Sequence, residues 1–83
     1  MRILYFSWIK DKVGKSVEEV DITAEVKNIQ QLINFLTEKS NSHKEAFSDL
    51  EAIRYSINMQ TADIKDEIKD DDEVAFFPPM TGG

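Results

Sequence analysis

Phe76-Phe77-Pro78-Pro79-Met80-Thr81-Gly82-Gly83 closes the chain, and the residue with the most chemistry to offer is the last one. A terminal glycine has no Cβ, so a partner can close a narrow channel around the backbone and reach the carbonyl carbon of Gly83. Gly82 extends that access by one residue, and Thr81 continues the same thin arm. The α-carboxylate is ionised at neutral pH, with a reference pKa of about 3.3–3.7, and an ionised carboxylate is a poor electrophile. Reaction with a nucleophile therefore requires activation, most simply as an acyl-adenylate made by an ATP-using partner. A persulfide donor can then convert that mixed anhydride to a thiocarboxylate, which is nucleophilic at neutral pH. Fully extended, Met80 to Gly83 reaches at most about 13 Å at roughly 3.3 Å per residue, enough to thread into a partner's site while the body docks outside. A glycine pair alone would read as a frayed end. The residues before it argue otherwise.

No other group competes. The chain contains no cysteine, which excludes a disulfide framework, a thiolate metal site and a cysteine nucleophile, so any sulfur it handles is imported. Gly14-Lys15-Ser16 resembles part of a phosphate-binding loop, but that motif needs a glycine five positions before its second one, and Ile9 stands there. The acidic run Asp70-Asp71-Asp72-Glu73, preceded by Asp66 and Glu67, lacks the alternating oxygen ligands and central glycine of a calcium loop and reads as a solvated turn. His43 is the sole histidine and reads as a surface residue at a helix end, where His⁺ is favoured. Serine and threonine hydroxyls need an adjacent base to act as nucleophiles, and the sequence offers none. No metal and no resident cofactor is expected.

Size and charge narrow the classes further. Eighty-three residues make one small domain, which buries only about 60% of the surface its unfolded chain exposes. A net charge of -6 works against binding the phosphate backbone of nucleic acid and favours basic protein partners. The apolar run Ile3 to Ile9 is broken by Lys10-Asp11-Lys12, is too short to span a bilayer and lacks a signal-cleavage pattern. The expectation is a protein without a membrane association, working in the cytoplasm.

The elements that must position the arm follow from periodicity. Arg2 to Ile9 is dense in strand formers, with Ile3 and Tyr5 on one face and Leu4, Phe6 and Trp8 on the other. A turn at Val13-Gly14-Lys15 leads to a second strand, Ser16 to Ile22, whose Val20 and Ile22 oppose Glu19 and Asp21, so the pair reads as a hairpin. Asn28 stands at an N-cap position with Gln31 three residues on, followed by Ile29, Leu32, Ile33 and Leu36 as an apolar stripe on a helix ending near Lys39 or Ser40. Asn41-Ser42 breaks it. Lys44 to Leu50 reads as a short second helix, Ile53 to Met59 as a strand, Thr61 to Asp72 as an acidic connection with a very short strand near Ala62, and Glu73 to Phe77 as the last strand.

This order predicts an α+β roll, a mixed sheet of four to five strands with one principal helix on one face. Ile3, Tyr5, Val20, Ile22, Ile57, Val74 and Phe76 form the inner face. The first and last strands then present Leu4, Phe6, Ala75 and Phe77 on the other side, and an outward apolar patch beside the tail usually marks a protein interface. Residues 1–79 are expected to form the folded domain and 80–83 a flexible arm, with Pro78 and Pro79 holding the arm away from the sheet.

With those residues in view, the whole chain resembles the small, sulfur-carrying subunits of molybdopterin synthases, which are ubiquitin-like β-grasp proteins. The string from Asp72 to Gly83, the Val13-Gly14 turn and Asn58 at the end of the third strand carry the resemblance. Phe-Phe-Pro-Pro before Gly-Gly is the specific part, since carriers for thiazole synthesis and ubiquitin-like modifiers generally share only the glycines. The resemblance implies that an enzyme like the ubiquitin-activating enzymes adenylates Gly83 using ATP, and that the residue becomes a thiocarboxylate. It further implies a large synthase subunit that takes the arm, a heterotetramer with two small subunits at its ends, and sulfur delivery to cyclic pyranopterin monophosphate. Phe6 and Phe77, with Leu4 and Met80 beside them, should then contact the partner. Carriers for thiazole or tungsten-cofactor synthesis, and protein modifiers, are the alternatives. Asp70-Asp71-Asp72 departs from the glycine often found in that turn, so a left-handed residue there would have to be an aspartate.

Overall fold

The computed structural model describes residues 1–79. Elements run in the order β1 (Arg2–Tyr5), α1 (Ser7–Val13), β2 (Val17–Glu19), α2 (Ile29–Lys39), α3 (Asn41–Ala46), a 3-10 turn (Leu50–Ala52), β3 (Arg54–Ile57), β4 (Gln60–Ala62) and β5 (Glu73–Phe77). Among the described residues the strands form one five-stranded sheet in the order β2-β1-β5-β3-β4. Parallel pairing of β1 with β5 lies at its centre, and the other pairs are antiparallel. The last strand is thereby buried between the first and third, which fixes the start of the tail at the middle of the sheet.

Period-2 alternation sorts the two faces. Tyr5 and Tyr55 both pair with Phe76, and Ile3 pairs with Val74, so these side chains share the covered face. Phe76 is the hub. Its ring stacks on Tyr5 at 6.0 Å between centroids and meets Phe47 at 4.8 Å and Tyr55 at 5.9 Å edge-on, the offset and T-shaped arrangements that the aromatic quadrupole favours. Ile29, Leu32, Ile33 and Leu36 of α2 pack into the same core cluster, as their spacing requires. Ile22 and Ile57, placed inside by the sequence, are only half-buried, while Val26 and Ile68 from the connections join the core.

The cap of α2 forms as the sequence predicts, with one shift. The Asn28 side chain accepts from Gln31 N–H at 2.8 Å, and the Gln31 amide oxygen accepts from Lys27 N–H, one residue before the cap. Ser40 then ends α2 and caps α3, which begins at Asn41, so the break falls one residue earlier than expected and the short helix three residues earlier.

The hairpin expectation is corrected. β1 and β2 do pair antiparallel, but β1 stops at Tyr5 and a helix replaces the rest of the expected strand. Ile9 and Val13 are an i, i+4 pair that buries against the core, a helical spacing hidden under residues that also favour strands. Gly14 is accordingly a helix C-cap at φ 92°, its N–H donating to Lys10 C=O at 2.8 Å, a left-handed position where glycine is favoured. The acidic turn needs no left-handed aspartate. Among the described non-glycine residues, positive φ occurs at Ser7, Asn58 and Met59, and not in Asp70-Asp71-Asp72.

Candidate functional site

Helices cover one side of the sheet, and the other side carries the residues that the sequence assigns to a partner. Leu4 pairs with Ala75, and Ala75 with Ser56, which sets a row across the centre of the open face in which Ala75 and Ser56 are small. Phe77 follows one alternation later, and Phe6, whose N–H donates to Phe76 C=O at 3.1 Å, is carried past the end of β1 beside it. Phe6 is 48% exposed, a high value for a phenylalanine. Leu4, Phe6, Ser56, Met59, Ala75 and Phe77 line a depression of about 240 Å³, with Glu73 at its border. Ala75 and Ser56 are its small lining residues and Leu4, Phe6, Met59 and Phe77 its large apolar ones.

The strand ends where its chemistry forces it to end. Pro78 and Pro79 have no N–H to continue the ladder beyond Phe77, and both are half-buried at the sheet margin. Met80, Thr81, Gly82 and Gly83, on which the tail expectations rest, lie outside the described residues. Of the expected interface residues, Leu4, Phe6 and Phe77 are brought together on one face.

Two groups escaped the sequence reading. Met59 lines the same depression and is 89% exposed. His43, expected at the surface, is buried at the β1–β2 margin, where its Nε2 lies 2.8 Å from Oε1 of the buried Glu18. Tyr5 donates its hydroxyl to the same oxygen at 2.8 Å. The signal for Glu18 was its place in the Val20 register of β2, which points it inward. Burial of the Tyr5 hydroxyl, then its hydrogen bond to Glu18 and that carboxylate's charge, push its pKa far above the ordinary tyrosine value. Burial also pushes Glu18 up, but hydrogen bonds from His43 and Tyr5 and the charges of His43 and Lys15 together hold it below 4.5.

Among the described residues no group of three or more His, Cys, Asp and Glu side chains is placed to hold a metal ion, and no helix is long and apolar enough to cross a membrane. A larger groove of about 650 Å³ beside β4 mixes Leu50, Ile53 and Tyr55 with Arg54, Asp63 and Asp66.

A family model described as the ThiS family matches residues 3–83. The chain belongs to that family. A curated relative, the molybdopterin synthase sulfur carrier subunit of Escherichia coli (strain K12), is 29% identical over 83 residues, spanning 100% of this chain and 99% of its own. Among solved structures, the small archaeal modifier protein 1 of Haloferax volcanii aligns at a TM-score of 0.75 with 19% identity, over 96% of this chain and 97% of that one. Subunit 1 or 2 in the molybdopterin-converting factor complex of Helicobacter pylori 26695 aligns at 0.60 with 21% identity, over 99% of this chain and 96% of that one. At such identities the structures speak for the fold, which is the ubiquitin-like β-grasp. The ThiS-family chain thus has its open face and its outgoing strand on a scaffold shared by carriers and modifiers.

Proposed function

We propose that this ThiS-family chain is the sulfur-carrier subunit of a molybdopterin synthase, working in the cytoplasm and without catalytic activity alone. An activating enzyme adenylates Gly83 at the expense of ATP, releasing pyrophosphate. The terminal sulfur of a persulfide displaces AMP to give an acyl disulfide, and a second thiol then cleaves its S–S bond, leaving the thiocarboxylate on the chain and a disulfide on the donor. The large synthase subunit takes the tail, and the sulfur passes to cyclic pyranopterin monophosphate within a complex of two small and two large subunits. Gly83 is the modified residue, Gly82 and Thr81 give access, and Leu4, Phe6, Phe77 and Met80 form the contact. The observation that carries this reading is the exit of a Phe-Phe-Pro-Pro strand from the centre of the sheet beside an uncovered apolar face. Family membership and the carrier name of the Escherichia coli relative support it.

A second reading, a ubiquitin-like modifier joined to lysines, draws support from the likeness to the archaeal modifier protein. Intact-mass measurement after incubation with an activating enzyme, ATP and a sulfur donor tests both. Oxygen-for-sulfur exchange at the C-terminus is the expected result. Lysine adducts would favour the modifier, and an unchanged mass would overturn both. Co-purification of the acceptor subunit separates molybdopterin synthesis from thiazole or tungsten-cofactor pathways.

A further inference from the structure

The turn joining β3 to β4 carries a residue whose position contradicts its chemistry. Ile57 pairs with Gln60, so Asn58 and Met59 form a two-residue loop, and their φ values of 50° and 70° give it the doubly left-handed form of a type I′ turn. The second position of such a turn is ordinarily glycine, which reaches positive φ without a Cβ penalty. Here it is a methionine that is 89% exposed to water. Neither the backbone nor the core calls for a large apolar side chain at this point.

The turn is also held rigidly. Asn58 N–H donates to Glu73 C=O at 2.8 Å, its side-chain amide donates to Asp72 Oδ1 at 2.9 Å, and its side-chain oxygen accepts from Glu73 N–H at 3.0 Å. These bonds tie the loop to the start of β5 and fix Met59 at the border of the open-face depression. Phe6 and Phe77 close the end of that depression nearest the tail. Met59 and Glu73 stand at the opposite end, about 13 Å away along β5 at roughly 3.3 Å per residue. Ala75 and Ser56 form the low floor between them.

We propose that Met59 is a specificity-determining contact of the docking face, forming its wall remote from the tail and gripping the partner protein that accepts the C-terminus. This rests on the docking role assigned to Phe6 and Phe77. The occupant follows from the tail's reach: four residues beyond Pro79 extend at most about 13 Å, so a protein whose active site receives Gly83 must sit against the sheet end bordered by Phe6 and Phe77, and the same depression continues from there to Met59. A flexible, polarizable thioether adapts to such a surface without a fixed shape. An apolar side chain of the partner, seated on Ala75 and Ser56, would be flanked by Phe77 on one side and Met59 on the other.

The test measures affinity for the molybdopterin synthase large subunit of the same organism, using the full chain and the variants Met59→Gly, Met59→Leu and Phe77→Asp. Glycine suits the turn, so Met59→Gly should keep or raise the melting temperature while weakening binding about tenfold or more. Met59→Leu should bind within about threefold of the parent, since it restores apolar bulk. A photo-reactive side chain placed at position 59 should cross-link to the large subunit. If Phe77→Asp weakens binding but Met59→Gly leaves it within about twofold, or the probe at 59 fails to cross-link, the assignment of Met59 is overturned and the docking face stands. If the parent does not bind, or Phe77→Asp binds as tightly as the parent, the docking reading falls and Met59 with it.

Discussion

Oε1 of Glu18 accepts hydrogen bonds from both Tyr5 Oη and His43 Nε2, each at 2.8 Å, so one buried oxygen joins β1, β2 and α3. The remaining ring nitrogen, Nδ1, lies 2.6 Å from Ser40 Oγ, which also accepts from His43 N–H and so caps α3. With Nε2 hydrogen-bonded to the carboxylate and Nδ1 to the Ser40 hydroxyl, both ring nitrogens of the buried imidazole have a partner. Lys15 and Lys39 approach the second oxygen, Oε2, at 3.7 and 3.6 Å from the solvent side. Being half-exposed, they add little to the pairing.

Removal of the shared acceptor should therefore be costly. Glu18→Ala strands the Tyr5 hydroxyl and the His43 N–H in the interior, each worth about 1–3 kcal/mol when unsatisfied, and is expected to destabilise the fold by about 2–6 kcal/mol in total. The shift in the urea unfolding midpoint measures it. Simultaneous replacement of Tyr5 by Phe should recover part of the loss, because one stranded donor is removed with its partner.

Acid should expose the same group. Glu18 is held below 4.5 in the folded protein, so it binds its proton less readily when folded than when unfolded. Its contribution to stability is then complete above about pH 4.5 and is lost as the pH falls through the lower native value. Glu18→Gln lacks this titration, so stability should fall less steeply in the variant between about pH 5 and pH 3. Parallel acid limbs for the two proteins in urea titrations would count against a depressed Glu18.

Asn58 supports the sheet from a left-handed position, and its backbone and side-chain roles can be separated. Asn58→Gly keeps the conformation and loses the two side-chain bonds to Asp72 and Glu73, for an expected cost of about 1 kcal/mol. Asn58→Ala loses the same bonds and adds the strain of a Cβ at φ 50°, and should be worse by about 1 kcal/mol more. Chemical denaturation of both variants ranks them.

Much of this molecule was legible in its sequence because the signals were local. The stripe from Ile29 to Leu36, the cap at Asn28 and the last strand from Glu73 to Phe77 need only neighbours along the chain, and all formed as read. The helix from Ser7 to Val13 was missed because Trp8 and Ile9 favour strands as strongly as helices, and only tertiary packing of Ile9 and Val13 decides between them. His43 and Glu18 are 25 residues apart, so no local pattern announces their pairing. Met59 escaped because its position depends on where the turn falls. Leu4, Phe6 and Phe77 were readable as one face once the first and last strands were taken as neighbours, a relation that the alternation of each strand allowed but did not require.

The last expectation concerns the carboxyl end. Phe77 is the final ladder residue of β5, and Pro78 and Pro79 offer no N–H to extend it, so the sheet ladder ends upstream of the reactive group. Deletion of Gly83, or addition of one residue after it, should leave the melting temperature within about 4 °C of the parent, since changes that touch no packing or cap stay within about 0.5 kcal/mol. Sulfur loading at the natural position should nonetheless be abolished. In the deletion the activating enzyme would meet the carboxylate one residue, about 3.3 Å, short of its site, and in the extension a side chain and a peptide bond would stand where the carboxylate is needed. Intact-mass analysis after incubation with activating enzyme, ATP and a sulfur donor reads the outcome, and thiocarboxylate formation at the parent's rate in either variant would show that the position of Gly83 is not what the partner recognises.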